Sequence, residues 1–139
     1  MKKDLTKACG SCPFKRINNN QKPNPGGSPV ETYLGQIRGP FWLPCHKDKN
    51  YEAKDSDPLT VQQCAGAAIF RSNCGRAYRL PEQLLDLPAN KQDVFANEAE
   101  FYAHYKGIPE SIVKDHLTPQ MLDEFMRREM MDHQVKQLT

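Results

Sequence analysis

Thr60-Val61-Gln62-Gln63-Cys64-Ala65-Gly66-Ala67-Ala68-Ile69-Phe70-Arg71-Ser72-Asn73-Cys74-Gly75 is the stretch around which the rest of the chain is read. Thr60 and Gln63 have the T-x-x-Q spacing of a capping box, which predicts a helix from Val61 to about Asn73 that stops at Gly75. The run Ala65 to Ala68 is small enough for another backbone to lie close. Gly66 costs ~1 kcal/mol against Ala inside a helix, and close packing is the reason to keep it. Cys64 falls in the first turn, where the helix dipole and unpaired N–H groups favour a thiolate. Cys74 lies ten residues further on, ~15 Å along a helix, too far to share one centre easily. It reads as a small buried hydrophobe or spare thiol.

Working outward, the other cysteines gain meaning from Cys64. Cys9-Gly10-Ser11-Cys12 is a C-x-x-C pair, in which two thiolates converge on one metal from a tight turn that Gly10 is expected to ease. Cys45 supplies a fourth thiolate. Between Cys12 and Cys45 lie 32 residues, and between Cys45 and Cys64 lie 18. Zinc ribbons and fingers pair two short spacings, and the second is missing here. Wide spacing on loops and a helix start favours a 4Fe-4S cluster on Cys9, Cys12, Cys45 and Cys64, with a structural zinc as the alternative. His46 is an alternative ligand, and three cysteines with His46 would favour zinc. His104, His116 and His133 lack ligand spacing and read as surface or packing residues. Five cysteines is an odd number, so a disulfide framework is not expected.

The remaining elements are mainly helical. Ser28, Pro29 and Glu31 form an S-x-x-E start, with Val30, Tyr33, Leu34 and Ile37 at helical spacing and Gly39-Pro40 as the stop. Phe41-Trp42-Leu43 predicts a buried extended segment that delivers Cys45 and His46. A polar loop from Lys47 to Pro58 follows. Short helices are expected over Pro81–Leu87 and Pro109–Lys114, a longer one over Asp93–Tyr105 ending at Gly107. A terminal helix should run from Pro119 to about Gln137, with Leu122, Phe125, Met126, Met130 and Val135 as its apolar stripe. The fold class expected is mainly α: one small domain over 1–139. Its loop-rich half, 1–75, is organised around the metal or cluster site, and its other half, 76–139, is helical.

The bulk properties bound the function. The 139 residues suit a single domain, and 38% hydrophobic residues make a lean core against the usual ~45–50%. No apolar run resembles a signal peptide or a membrane span, so a cytoplasmic protein (host cytoplasm if viral) is expected. Residues 1–54 hold ten Lys/Arg against four Asp/Glu, whereas 55–139 hold nine against thirteen. A basic first half can meet nucleic acid or a host protein, with Lys15, Arg16, Lys47 and Lys49 near the ligands and Phe14 available to stack on bases. No HExxH, Gly-rich phosphate loop or nucleophile–base set is present, so no catalytic residues are assigned and a redox or metal-dependent enzyme is the weaker alternative. Asp55 and Asp57 read as solvated loop residues.

These residues resemble a group of small cysteine-containing proteins found in phages and bacteria. The resemblance runs through Cys9-x-x-Cys12-Pro13-Phe14-Lys15-Arg16, a Pro-Gly segment at Pro25-Gly26, aromatic sequence into Cys45-His46, and Cys64-Ala65-Gly66-Ala67. Glu100-Phe101-x-x-His104 extends it loosely into the second half. It implies a metal- or cluster-bearing accessory protein of a virus or mobile element, acting as a binding or regulatory module, and implies no reaction. The Asn-rich insert before Pro25 departs from the group. Actinobacterial WhiB-like regulators also place four cysteines around a 4Fe-4S cluster, but their C-x-x-C is internal, whereas here it comes first.

Overall fold

The computed structural model describes residues 6–18, 22, 25, 27–41, 43, 63–75, 82 and 84–138, with backbone alone for 133–138. Among them are four α-helices and one 3-10 helix: α1 Val30–Arg38, α2 Ala65–Asn73, α3 Glu98–Lys106, the 3-10 helix Glu110–Asp115, and α4 Pro119–Leu138. Extended pairing joins Lys15 to Val94 in an antiparallel bridge, and Gln63 also lies in an isolated bridge. The mainly α expectation holds. No described helix is long and apolar enough to cross a membrane.

Helix α1 buries Val30, Tyr33, Leu34 and Ile37, the face predicted from its spacing, and its chain leaves at Gly39. The start differs from expectation. Pro29, not Ser28, is the N-cap, and it has no side chain with which to cap. Helix α4 crosses α1 so closely that a Cβ at Gly35 would lie 2.5 Å from the Phe125 carbonyl oxygen. Polar bonds fix the same crossing: Arg38 Nε donates to Asp123 at 2.7 Å and Gln36 donates to Glu129 at 3.0 Å. Along the predicted stripe Phe125 is buried, while Met130 is 40% exposed, so the apolar face tapers off before the second half of the helix.

The expected helix over 93–105 begins later. Asp93 to Phe95 are taken by the bridge to the N-terminal segment: Arg16 N–H donates to Asp93 O at 3.0 Å and Phe95 N–H to Phe14 O at 3.1 Å. Asn97 then caps α3, its side chain accepting from Glu100 N–H at 2.8 Å. Gly107 ends the helix as predicted. The short helix expected over 81–87 is not formed by the described residues of that stretch. Leu84 and Leu85 are buried, and Leu85 N–H donates to the Gln63 side chain at 2.7 Å, which holds the segment as an irregular crossing.

An aromatic cluster binds the two halves. Phe14 stacks on Phe101 with centroids 5.2 Å apart, and Phe70 lies 5.3 Å from Phe14 and 5.2 Å from Phe101. Each fully buried Phe contributes roughly 1.5–3 kcal/mol, and favourable aromatic pairs add about 0.5–1.5 kcal/mol. The residues that follow the C-x-x-C turn are therefore anchored in the main core.

Candidate metal centre

The C-x-x-C stretch folds as a tight turn, Cys12 N–H donating to Cys9 O at 3.1 Å, followed at once by Lys15 N–H donating to Cys12 O at 3.1 Å. Pro13 and Phe14 are buried, and the Pro13 carbonyl accepts from the Tyr105 hydroxyl at 2.5 Å. Gly10 plays a smaller part than expected. It does not take left-handed backbone, and a Cβ there would meet nothing within 4 Å.

Helix α2 receives this turn at its N-terminus. It starts at Ala65 with Cys64 as N-cap, so the Thr60–Gln63 capping box does not define its start, and Thr60 lies outside the described residues. The Cys64 sulfur does the work of a cap, accepting from Ala67 N–H at 3.4 Å. Cys12 Sγ lies 3.8 Å from Cys64 Sγ, joining residues 52 apart in the chain. Cys12 is 1% exposed and Cys64 8%, with Cys9 half-buried at the rim.

Gly66 makes the juxtaposition possible. A Cβ at that position would overlap Cys12 Sγ and would also touch Ala8 Cβ at 3.4 Å. The close packing read from its presence in a helix is thus a thiol, not a second backbone.

The electrostatics separate the two buried thiols. Cys64 is lowered from the ordinary thiol range, first by the hydrogen bond from Cys12, against burial, and with help from the Ala67 and Gly66 N–H groups. Cys12 is raised well above that range by its hydrogen bonds with Cys64 and Cys9 and by burial. Cys64 is the thiol that yields the first proton, at the end of a helix where a negative charge is stabilised.

The route toward Cys45 passes beside the same point. Leu43 O accepts from Cys64 N–H at 2.7 Å. Arg71, buried at 3% exposure, holds the approach: its guanidinium donates to Phe41 O at 2.6 Å, Ile37 O at 3.1 Å and Gln36 O at 3.3 Å. Burial pushes this guanidinium down to about 10, against an opposing effect of Cys74. Three carbonyls, two of them in the last turn of α1, take the place of a carboxylate. Sequence reasoning gave Arg71 no role; its place inside an otherwise apolar face after Phe70 was the available signal.

Cys45, His46, Lys47, Lys49, Asp55 and Asp57 lie outside the described residues. Among the described residues, which include Cys9, Cys12 and Cys64, no group of three or more His, Cys, Asp or Glu side chains is placed to hold a metal ion. Cys74 caps the far end of α2, away from Cys64 as its helical distance required. His104 packs against Tyr105 and Phe95, and burial followed by the charge of Lys22 lowers it.

The basic residues next to the turn are engaged internally. Arg16 pairs with Glu100 and donates through Nε to Lys91 O at 2.8 Å, and Lys15 Nζ lies 3.9 Å from Asp93. Phe14 is 1% exposed and closed off by Phe70 and Phe101, so it cannot stack on a base as the sequence allowed. No family model matches this chain, and neither a curated protein nor a solved structure matches it.

Proposed function

We propose that Cys9, Cys12 and Cys64, with Cys45 as the fourth ligand, hold a thiolate-bound metal centre that staples the loop-rich half to α2, and that the loaded protein is an accessory binding module rather than an enzyme. The observation that carries this is the 3.8 Å contact between Cys12 and Cys64, two thiols brought together across 52 residues at a helix N-terminus. Cys45 fits by connectivity. It follows Leu43 by two residues, at most ~7 Å of chain, and the Leu43 carbonyl is bonded to Cys64 N–H. Either a 4Fe-4S cluster or zinc would draw on these thiolates. The phage or mobile-element setting rests on the sequence resemblance alone.

A protein partner suits the described surface better than nucleic acid. Lys15 and Arg16, expected to contact phosphate, each face a carboxylate of their own chain. A nucleic-acid reading rests on Lys47 and Lys49, and would appear as binding that weakens steeply between low and moderate salt.

The staple is tested on anaerobically purified protein. Metal should be present, be lost in Cys12→Ser and Cys64→Ser, and be kept in Cys74→Ser. Chelation should lower the melting midpoint, because a ligand at a thousand times its Kd stabilises the fold by about 4 kcal/mol. A folded, metal-free protein whose midpoint ignores chelator, zinc and iron alike would defeat the reading.

A further inference from the structure

The geometry points to one tetrahedrally coordinated ion, a zinc, held between Cys12 and Cys64, rather than a cubane iron–sulfur cluster. This rests on the metal-centre reading above and reverses the preference drawn from ligand spacing. Two thiolates on one tetrahedral zinc, each with a bond of ~2.3 Å, are separated by the tetrahedral edge, about 3.8 Å. The Cys12–Cys64 separation is 3.8 Å. In a 4Fe-4S cluster each cysteine binds a different iron, so the ligand sulfurs straddle a face of the cube and stand farther apart than two ligands of one ion.

The surroundings oppose widening that edge. Cys12 Sγ occupies the space where Gly66 lacks a side chain, and Ala8 closes the same wall. Behind it, the Cys12 backbone is fixed by turn bonds on both sides, and Pro13 and Phe14 are locked to Tyr105 and Phe95. Cys64 is fixed by its amide bond to Leu43 O and by the Ala67 N–H on its sulfur. The backbones that carry the two sulfurs are held by the turn and the helix start, so a wider spacing must come from side-chain rotation alone, whereas an ion between them requires only loss of the thiol protons. The Ala67 N–H that reaches Cys64 Sγ also suits a zinc-bound thiolate, whose charge a hydrogen bond spreads.

The test compares metals on one protein. The full chain is produced with iron, sulfur and zinc all supplied, purified without oxygen, and analysed for metals and acid-labile sulfide. One zinc per chain and no sulfide is the expected result. Replacing zinc by cobalt(II) should give the intense visible and near-ultraviolet bands of tetrahedral cobalt–thiolate, weakened in Cys9→Ser, so the ligand set is read even where Cys12→Ser or Cys64→Ser fails to fold. Iron with matching sulfide, in two- or four-iron stoichiometry, overturns the single-ion inference and leaves the metal-centre reading intact. A protein that takes up neither zinc, cobalt nor iron overturns both.

Discussion

Gly66→Ala should destabilise the protein, although the same change at an ordinary helical position stabilises it. At an unobstructed site in α2 the added methyl would gain roughly 0.5–1 kcal/mol through helix propensity and a smaller unfolded-state entropy. At Gly66 the methyl meets Cys12 Sγ, and overpacking of this kind costs about 1–3 kcal/mol. The sulfur can swing about a single bond, but Cys12 is 1% exposed and its backbone is held, so relief comes only by displacing neighbours. The net expectation is a loss of about 1–2 kcal/mol. Removing the sulfur separates the two effects. In a Cys12→Ala background the remaining neighbours are Ala8 Cβ at 3.4 Å and the Cβ of residue 12 at 3.5 Å, and the new methyl fills part of the space left by the sulfur. There Gly66→Ala should be neutral or stabilising by up to ~1 kcal/mol, which puts the coupling near 2 kcal/mol, inside the range for residues in contact. Urea unfolding followed by far-ultraviolet circular dichroism, with chelator and reductant present, measures it without a metal contribution. A change of that size moves the midpoint by about 1 M if the slope is ~2 kcal/mol/M. If Gly66→Ala has the same effect in both backgrounds, within ~0.5 kcal/mol, Cys12 does not sit over Gly66 and the placement of the site is wrong.

The other expectations follow from the framework of the site. Arg71→Met should cost roughly 3 kcal/mol, because three carbonyls lose a buried charged donor, and it should weaken metal retention by releasing the segment that leads to Leu43; stability within 0.5 kcal/mol of wild type would contradict this. Tyr105→Phe removes the hydroxyl from the Pro13 carbonyl and should lose about 1–2 kcal/mol in urea unfolding, with faster alkylation of the Cys9 thiol in the metal-free protein; unchanged alkylation would show that Tyr105 does not brace the turn. Burial alone would raise Glu31, but the Lys106 ammonium 2.6 Å away holds it below the ordinary range. A depressed carboxyl adds stability that is complete above the unfolded value, ~4.3, and is lost as pH falls through the folded one, so Glu31→Gln should flatten the acid limb of the stability curve by no more than about 1 kcal/mol. An acid limb identical in the two proteins would remove Glu31 from that account.

Where a local rule and the tertiary packing agreed, the sequence could be read. Helix α1 and the start of α4 follow their apolar spacing, because their buried faces meet each other. Helix α2 was misread at its start for a definite reason. The rules for N-caps concern oxygen acceptors in Ser, Thr, Asp and Asn, and here the acceptor is the sulfur of Cys64. Gln63, read as the far side of a capping box, spends its side-chain oxygen on Leu85 N–H. Helix α3 carried a clear signal in Asn97 and Glu100, but the apolar pair Val94-Phe95 drew the predicted start upstream. Those residues instead meet Lys15 and Phe14, a pairing across some 80 residues of chain that local periodicity cannot express. The cysteine set shows the same division. C-x-x-C announces itself, and Cys64 followed from its place on a helix, but only the fold brings Cys64 to Cys12, and only Gly66 gives that sulfur its space.

The position of the site also explains why a single ion would matter to a chain with this core. The aromatic cluster of Phe14, Phe70 and Phe101 already joins the N-terminal segment, α2 and α3. Cys12 and Phe14 are two residues apart, as Cys64 and Phe70 are six, so the thiol pair and the ring pair fasten the same two segments at successive levels. Without metal, the ring contacts, the packing of Cys12 and Ala8 on Gly66 and the hydrogen bond between the two thiols hold the turn against α2. With metal, segments 52 residues apart are cross-linked in the folded state, and the free energy of metal binding offsets part of the closure cost of that loop. The chelator effect should therefore be largest where the ring contact has been weakened. In Phe14→Leu the drop in melting midpoint on chelation should exceed that of wild type, because the two fastenings act on one opening. An equal drop in both proteins would mean that the thiols and the rings open independently, and that the metal does not brace the core.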